Sequence, residues 1–142
     1  MIGFETDAFS ANYEQAREKF LLAAQEAGLP VEQHLHPFRG PRGEDLSMDV
    51  VRDGPADARA LLVVTSACHG VEGFAGSAVQ VACLRDAGWR GYAHAREVAV
   101  LYVHALNPWG FAHLRRVTHE KVDLNRNFVD FSHPLPANDG YR

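Results

Sequence analysis

The chain has 142 residues, 46% of them hydrophobic and 23% charged, the balance of an ordinary globular protein with room for one packed core. A net charge of −4, with no basic run and no alternation of aromatic and basic residues, excludes a nucleic-acid surface. Cys68 and Cys83 form neither a CxxC pair nor a disulfide framework, Met1 to Ser10 is no secretory leader, and no apolar run reaches membrane-spanning length; the expected setting is the cytoplasm, with no membrane partner.

The first expected element is an amphipathic helix over Asp7 to Ala27. Phe20, Leu21 and Ala24 form its apolar stripe among Glu14, Arg17, Glu18 and Lys19, with Ser10 as candidate cap and Gly28-Leu29-Pro30 as stop. Between Val31 and Asp53, turn chemistry at Gly40 to Gly43 separates short alternating runs, which predicts a hairpin or two short strands. A turn at Gly54 to Asp57 leads into Ala60 to Thr65, a continuous apolar run expected to be a strand covered on both faces. Phe74 to Ala87 reads as a helix ended by Gly88, and Glu97 to Leu106 as a second buried strand.

Strand, helix, strand in that order is a βαβ unit. The expected class is therefore α/β, a largely parallel mixed sheet flanked by helices. After Phe128 the pattern dissolves into VDFSHPLPANDGYR, and two buried parallel strands make a thin sheet. The expectation is that residues 1 to 142 are the front part of a longer single domain.

Ligands of such sheets bind beyond the carboxyl ends of the strands, and two polar clusters fall there. The first is HGVEG, with His69 and Glu72 three apart. That spacing on a tight turn puts an imidazole and a carboxylate on one side, and both suit Zn²⁺, whose catalytic sites often take two histidines and a glutamate. Gly70 and Gly73 would let the backbone turn sharply. Alone, HxxE fits a plain helix start as well, with Glu72 favoured by the helix dipole. The second cluster is Asn107-Pro108-Trp109-Gly110, followed by Arg115-Arg116 and by VDLNRNF from Val122 to Phe128. Separately these fit a turn, a solvated basic face and a polar loop; their order and spacing together point to a site.

HxxE after a strand, NPxG after the next, then an arginine and DLNRNF, resembles the zinc carboxypeptidase superfamily with its aspartoacylase and succinylglutamate-desuccinylase relatives. GVEGFAGSAVQ, NPWGFAHLRRV and VDLNRNF resemble in wording the DUF2817 group of that superfamily, and the likeness includes the opening AFSANYEQAREKF. The resemblance implies that His69 and Glu72 are the first two zinc ligands. It implies Arg116 as the arginine that stabilises the oxyanion, with Arg115 beside it as the one-residue alternative. Asn125 and Arg126 resemble the pair that grips a substrate carboxylate. Asp123 reads either as an orienter of the ligand histidine or as a carboxylate that fixes its own loop.

The family pattern also needs a second zinc histidine and a general-base glutamate, and neither has a counterpart in the chain. His104 falls on a strand and is expected in the core. His113 and His119 are expected exposed, His133 lies in the tail, Glu120 precedes DLNRNF, and Cys68 is expected as a small buried hydrophobe. The implied function is zinc-dependent hydrolysis of amide bonds, of the metallocarboxypeptidase or N-acyl-amino-acid deacylase type. The implied substrate is a small molecule or peptide end with a free carboxylate, and the isolated chain is expected to be nearly inactive. The alternative is a non-catalytic carboxylate- or partner-binding module that keeps half of the site and pairs in an oligomer or with a completing chain.

Overall fold

The computed structural model describes residues 6–130 and 132–134. A 3₁₀ turn at Thr6–Ala8 precedes α1 (Tyr13–Glu26), β1 (Val31–Arg39), β2 (Asp45–Asp53) and β3 (Ala60–Thr65). Then come α2 (Gly73–Arg85), α3 (Ala87–His94), β4 (Val98–His104), the short α4 (Pro108–Ala112) and a 3₁₀ turn at Leu124–Arg126. Among the described residues no helix is long and apolar enough to cross a membrane.

The expected α/β class is present, as one mixed sheet of order β1-β2-β4-β3. β3 and β4 run parallel, whereas β1 with β2 and β2 with β4 are antiparallel, so the described part is more antiparallel than the expected largely parallel sheet. The hairpin expected between Val31 and Asp53 is β1–β2. In register, Val51, Tyr102 and Val64 lie side by side across β2, β4 and β3. Helices α1 and α2 set Phe20, Ala23, Ala78, Val81 and Leu84 against this row to form the main core.

Two buried carboxylates on β2 fasten helices to the sheet. Asp49 accepts two hydrogen bonds from Arg17 of α1, at 2.7 and 3.2 Å, and a third from Ser47 Oγ. Asp53 accepts two from Arg90 of α3, at 2.8 and 3.3 Å, with His94 Nε2 3.0 Å away. Paired and bidentate, these charges tolerate burial that an isolated carboxylate would not.

Three expectations are corrected. The opening helix starts at Tyr13, not Asp7: Asn12 Oδ1 accepts from Gln15 N at 2.9 Å and caps it in place of Ser10. The helix expected over Phe74 to Ala87 ends at Arg85, because the Asp86 side chain accepts from Trp89 N and starts α3, which absorbs Gly88. β3, expected to be covered on both faces, is an edge strand with Leu61 53%, Leu62 42% and Val63 50% exposed. An apolar run records what a strand can bury, not which neighbours it has.

Candidate metal and substrate site

The site begins where β3 and β4 end side by side. Each strand leaves the sheet through an alanine in the left-handed region, Ala67 at φ 54° and Ala105 at φ 58°. A residue with a Cβ in that region costs about 1–3 kcal/mol, and such strain gathers at functional sites. Ser66 holds the two kinks together. Its Oγ accepts from Ala105 N, its carbonyl accepts from Leu106 N, and its N–H donates to Val103 O; Asn107 N then donates to Ala67 O. The expected turn runs from Gly70 to Gly73, closed by Gly73 N donating to Gly70 O at 3.2 Å, but neither glycine has a positive φ; the left-handed kink is at Ala67.

Gly70 serves a close approach instead. A Cβ there would lie 2.4 Å from the Gly110 carbonyl oxygen and 2.7 Å from that of Arg115. Gly110 is as confined: its Cβ would lie 2.3 Å from Asn107 Nδ2. Asn107 caps α4, its Oδ1 accepting from Gly110 N at 2.9 Å, with Pro108 at the start of the helix. Gly70 N donates to Arg115 O, and Arg115 N to Gly110 O. The HGVEG loop, the NPWG turn and the arginine segment thus meet backbone to backbone at Arg115. Leu114 at φ 54° turns the chain into that joint.

His69 and Asp123 face each other, 15% and 16% exposed in their side chains, with Nε2 2.9 Å from Oδ1. An ionised carboxylate only accepts, so Nε2 carries a proton, and in the neutral imidazole Nδ1 then keeps its lone pair. Nδ1 faces Glu72 Oε1 at 3.9 Å, and the Glu72 carboxylate is largely exposed. The other oxygen of Asp123 accepts from Arg116 Nε at 2.8 Å. Asn125 N donates to Asp123 Oδ1, and Asn127 Nδ2 to its backbone carbonyl, which fixes the turn at Leu124–Arg126. The Arg116 guanidinium first, and then His69, hold the Asp123 carboxyl far below the usual carboxylate range, and Asp123 in turn pushes Arg116 up.

The structure therefore gathers His69, Glu72, Arg116 and Asp123 into one chain of contacts. Among the described residues Arg115 enters through its backbone alone. Asn125 is joined through its N–H, while Arg126 is exposed, with Nη1 donating to Asn125 O. Asp123, left between two readings by the sequence, does both: it fixes its loop and holds the histidine. Cys68, expected buried, is half-buried against the same turn; burial first, and then Asp123, pushes its thiol up.

The remaining histidines are elsewhere. His104 is fully buried in the core as expected, stacked on Phe20 with ring centroids 4.5 Å apart, its Nε2 3.0 Å from Ser77 Oγ. His113 and His119, expected exposed, are half-buried: His113 stacks on Trp109 at 4.3 Å, and His119 packs against His36 and Phe38 of β1. Glu120 is exposed with its carboxylate 4.0 Å from His119, and His133 pairs with Asp130. Among the described residues no three His, Cys, Asp or Glu side chains converge to hold a metal ion. His69 and Glu72 fit zinc in donor type, and a carboxylate behind the imidazole is the support that a metal-binding histidine commonly has.

Residues 9–142 match the model of DUF2817, a family described as proteins of unknown function, and the chain belongs to that family. No curated protein matches it. Among solved structures, it is similar to the glutaminyl cyclase of Fimbriiglobus ruber, at 16% identity and a TM-score of 0.41, over 63% of this chain and 36% of that one. The glutaminyl cyclase of Tannerella forsythia gives 13% identity and a TM-score of 0.41, over 64% and 37%. The esterase LipW of Mycobacterium marinum gives 18% and 0.34, over 64% and 26%. The aligned part is thus about a third of either cyclase.

Proposed function

We propose that the chain carries part of the site of a zinc-dependent amide hydrolase, of the metallocarboxypeptidase or N-acyl-amino-acid deacylase type. One observation carries this reading: His69 presents Nδ1 toward Glu72 while the Asp123 carboxylate, which also holds Arg116, fixes Nε2.

In this reading His69 and Glu72 hold the metal. Zinc, when bound, supplies Lewis-acid chemistry, polarising a carbonyl and acidifying water. Arg126 and Asn125 hold the free carboxylate of the substrate, a guanidinium taking both its oxygens. That anchor sets the amide in place at no cost in loose motion during the reaction. Water adds to the amide carbon, negative charge gathers on the carbonyl oxygen, and Arg116 stabilises it. The C–N bond then breaks, giving a carboxylate and an amine that leaves with a proton. Among the described residues no third His, Cys, Asp or Glu side chain converges with His69 and Glu72 on one metal position.

The test is zinc binding by the purified chain at neutral pH, beside His69→Ala and Glu72→Ala. Hydrolysis of N-acyl amino acids and of peptides is assayed on the same samples. Zinc bound by the wild type and lost in both variants supports the reading. Zinc retained equally in both would overturn it. Binding of an N-acyl amino acid with no zinc at all would favour the carboxylate-binding module instead.

A further inference from the structure

Resting on the function proposed above, we infer that Asp123 couples the occupancy of Arg116 by an anionic group to the strength of His69 as a ligand. Each of its oxygens serves a different partner. Oδ1 accepts from His69 Nε2 at 2.9 Å and from Asn125 N at 3.0 Å, and Oδ2 accepts from Arg116 Nε at 2.8 Å. His69 and Arg116 thus draw on one negative charge.

The sign follows from that sharing. A carboxylate behind an imidazole makes the opposite nitrogen a stronger donor. A guanidinium on the same carboxylate takes part of its charge and weakens that effect. Arg116 is 55% exposed, and among the described residues this is the one hydrogen bond its guanidinium makes. An anion that binds the Nη groups of Arg116 offsets the guanidinium's positive charge beside Asp123. The carboxylate's charge then acts more fully on His69, and Nδ1 binds a cation better. By linkage the cation raises the affinity for the anion by the same factor.

Direct attraction between an anion and a metal has the same sign, so the variant must separate the two. Asp123→Asn keeps an oxygen to accept from His69 Nε2 but removes the shared charge, while direct attraction stays. Asp123 acts here as a positioning residue.

The experiment uses the ¹⁵N-labelled chain with N-acetylglycine as the anionic probe, and every sample carries Arg126→Gln so that the probe's carboxylate is not taken by the anchor proposed above. Without metal, the ¹⁵N signals of Arg116 Nε and of the His69 ring are followed through a titration. The expected result is one saturation curve for both residues in the wild type, and a response confined to Arg116 in Asp123→Asn. In Arg116→Gln, a substitution at a position 55% exposed in its side chain, the probe should no longer move His69. With metal, zinc affinity should rise about 5-fold or more at saturating N-acetylglycine, and most of that gain should vanish in Asp123→Asn. Movement of Arg116 with His69 unmoved, no response at Arg116, or an equal gain in Asp123→Asn would overturn the coupling. Failure of zinc to bind while both residues still respond together supports the coupling and overturns the metal reading.

Discussion

Gly70 and Gly110 meet backbone against backbone, so close that a methyl group on Gly70 would lie 2.4 Å from the Gly110 carbonyl oxygen. The contact brings the loop after β3 and the turn after β4 to the segment that carries Arg116. Gly70→Ala and Gly110→Ala should each destabilise the chain by about 1–3 kcal/mol, the range for overpacking. Gly91→Ala, at a helical position with nothing within 4 Å of the added carbon, should be neutral or stabilising by about 0.5–1 kcal/mol. Urea unfolding of the three variants checks both signs.

The buried pair Arg17–Asp49 supports the fold without touching the site. Asp49 is 0% exposed in its side chain, so Arg17→Ala leaves a buried carboxylate without its cation. The expected loss is about 3–5 kcal/mol. Thermal or urea unfolding measures it, and a loss below 1 kcal/mol would show that water reaches Asp49.

His104 makes stability depend on pH. Burial pushes its pKa down to about 4 from 6.5, with Asp49 opposing and Arg17 adding to the shift. The folded state keeps the imidazole neutral while the unfolded chain takes up a proton below 6.5. Stability is therefore full above that pH and lost as pH falls toward 4, by about 3 kcal/mol in all. His104→Leu should flatten the slope across this window. Asp123, whose carboxyl is depressed, contributes stability that is lost only as pH falls below its ordinary 3.8. Urea unfolding between pH 4 and 7 isolates the His104 part.

The outer edge of β3 exposes Leu61, Leu62 and Val63, and no strand pairs with that edge among the described residues. An apolar edge of this kind templates further pairing. Sedimentation of the isolated chain should show association that grows with concentration. Val63→Lys should reduce it. A chain that stays monomeric at high concentration would contradict this expectation.

The elements legible in the sequence were those with local causes. The β1–β2 hairpin followed from its turn residues and β4 from its apolar run, and the helix expected from Phe74 begins one residue earlier, at Gly73. The errors lie where two local signals compete or a distant one decides. Ser10 and Asn12 are both capping residues, and Gln15, reaching back to Ala11 N, favours Asn12. Asp86 acts as a cap inside what reads as one helix. The exposure of β3 depends on neighbours that an apolar run does not name. Within the site, HxxE and NPWG were visible as residue types at strand ends, and DLNRNF as a motif further along the chain. The Gly70–Gly110 contact and the sharing of Asp123 by His69 and Arg116 arise only when three loops meet.

The central claim is that His69, supported by Asp123, binds metal together with Glu72. Zinc affinity of the wild type, His69→Ala, Glu72→Ala and Asp123→Ala, measured side by side at neutral pH, tests it most directly. The account predicts binding lost in the first two variants and weakened about 10- to 100-fold in the third, the usual effect of removing a carboxylate behind a ligand histidine. Equal zinc affinity in all four proteins would contradict it.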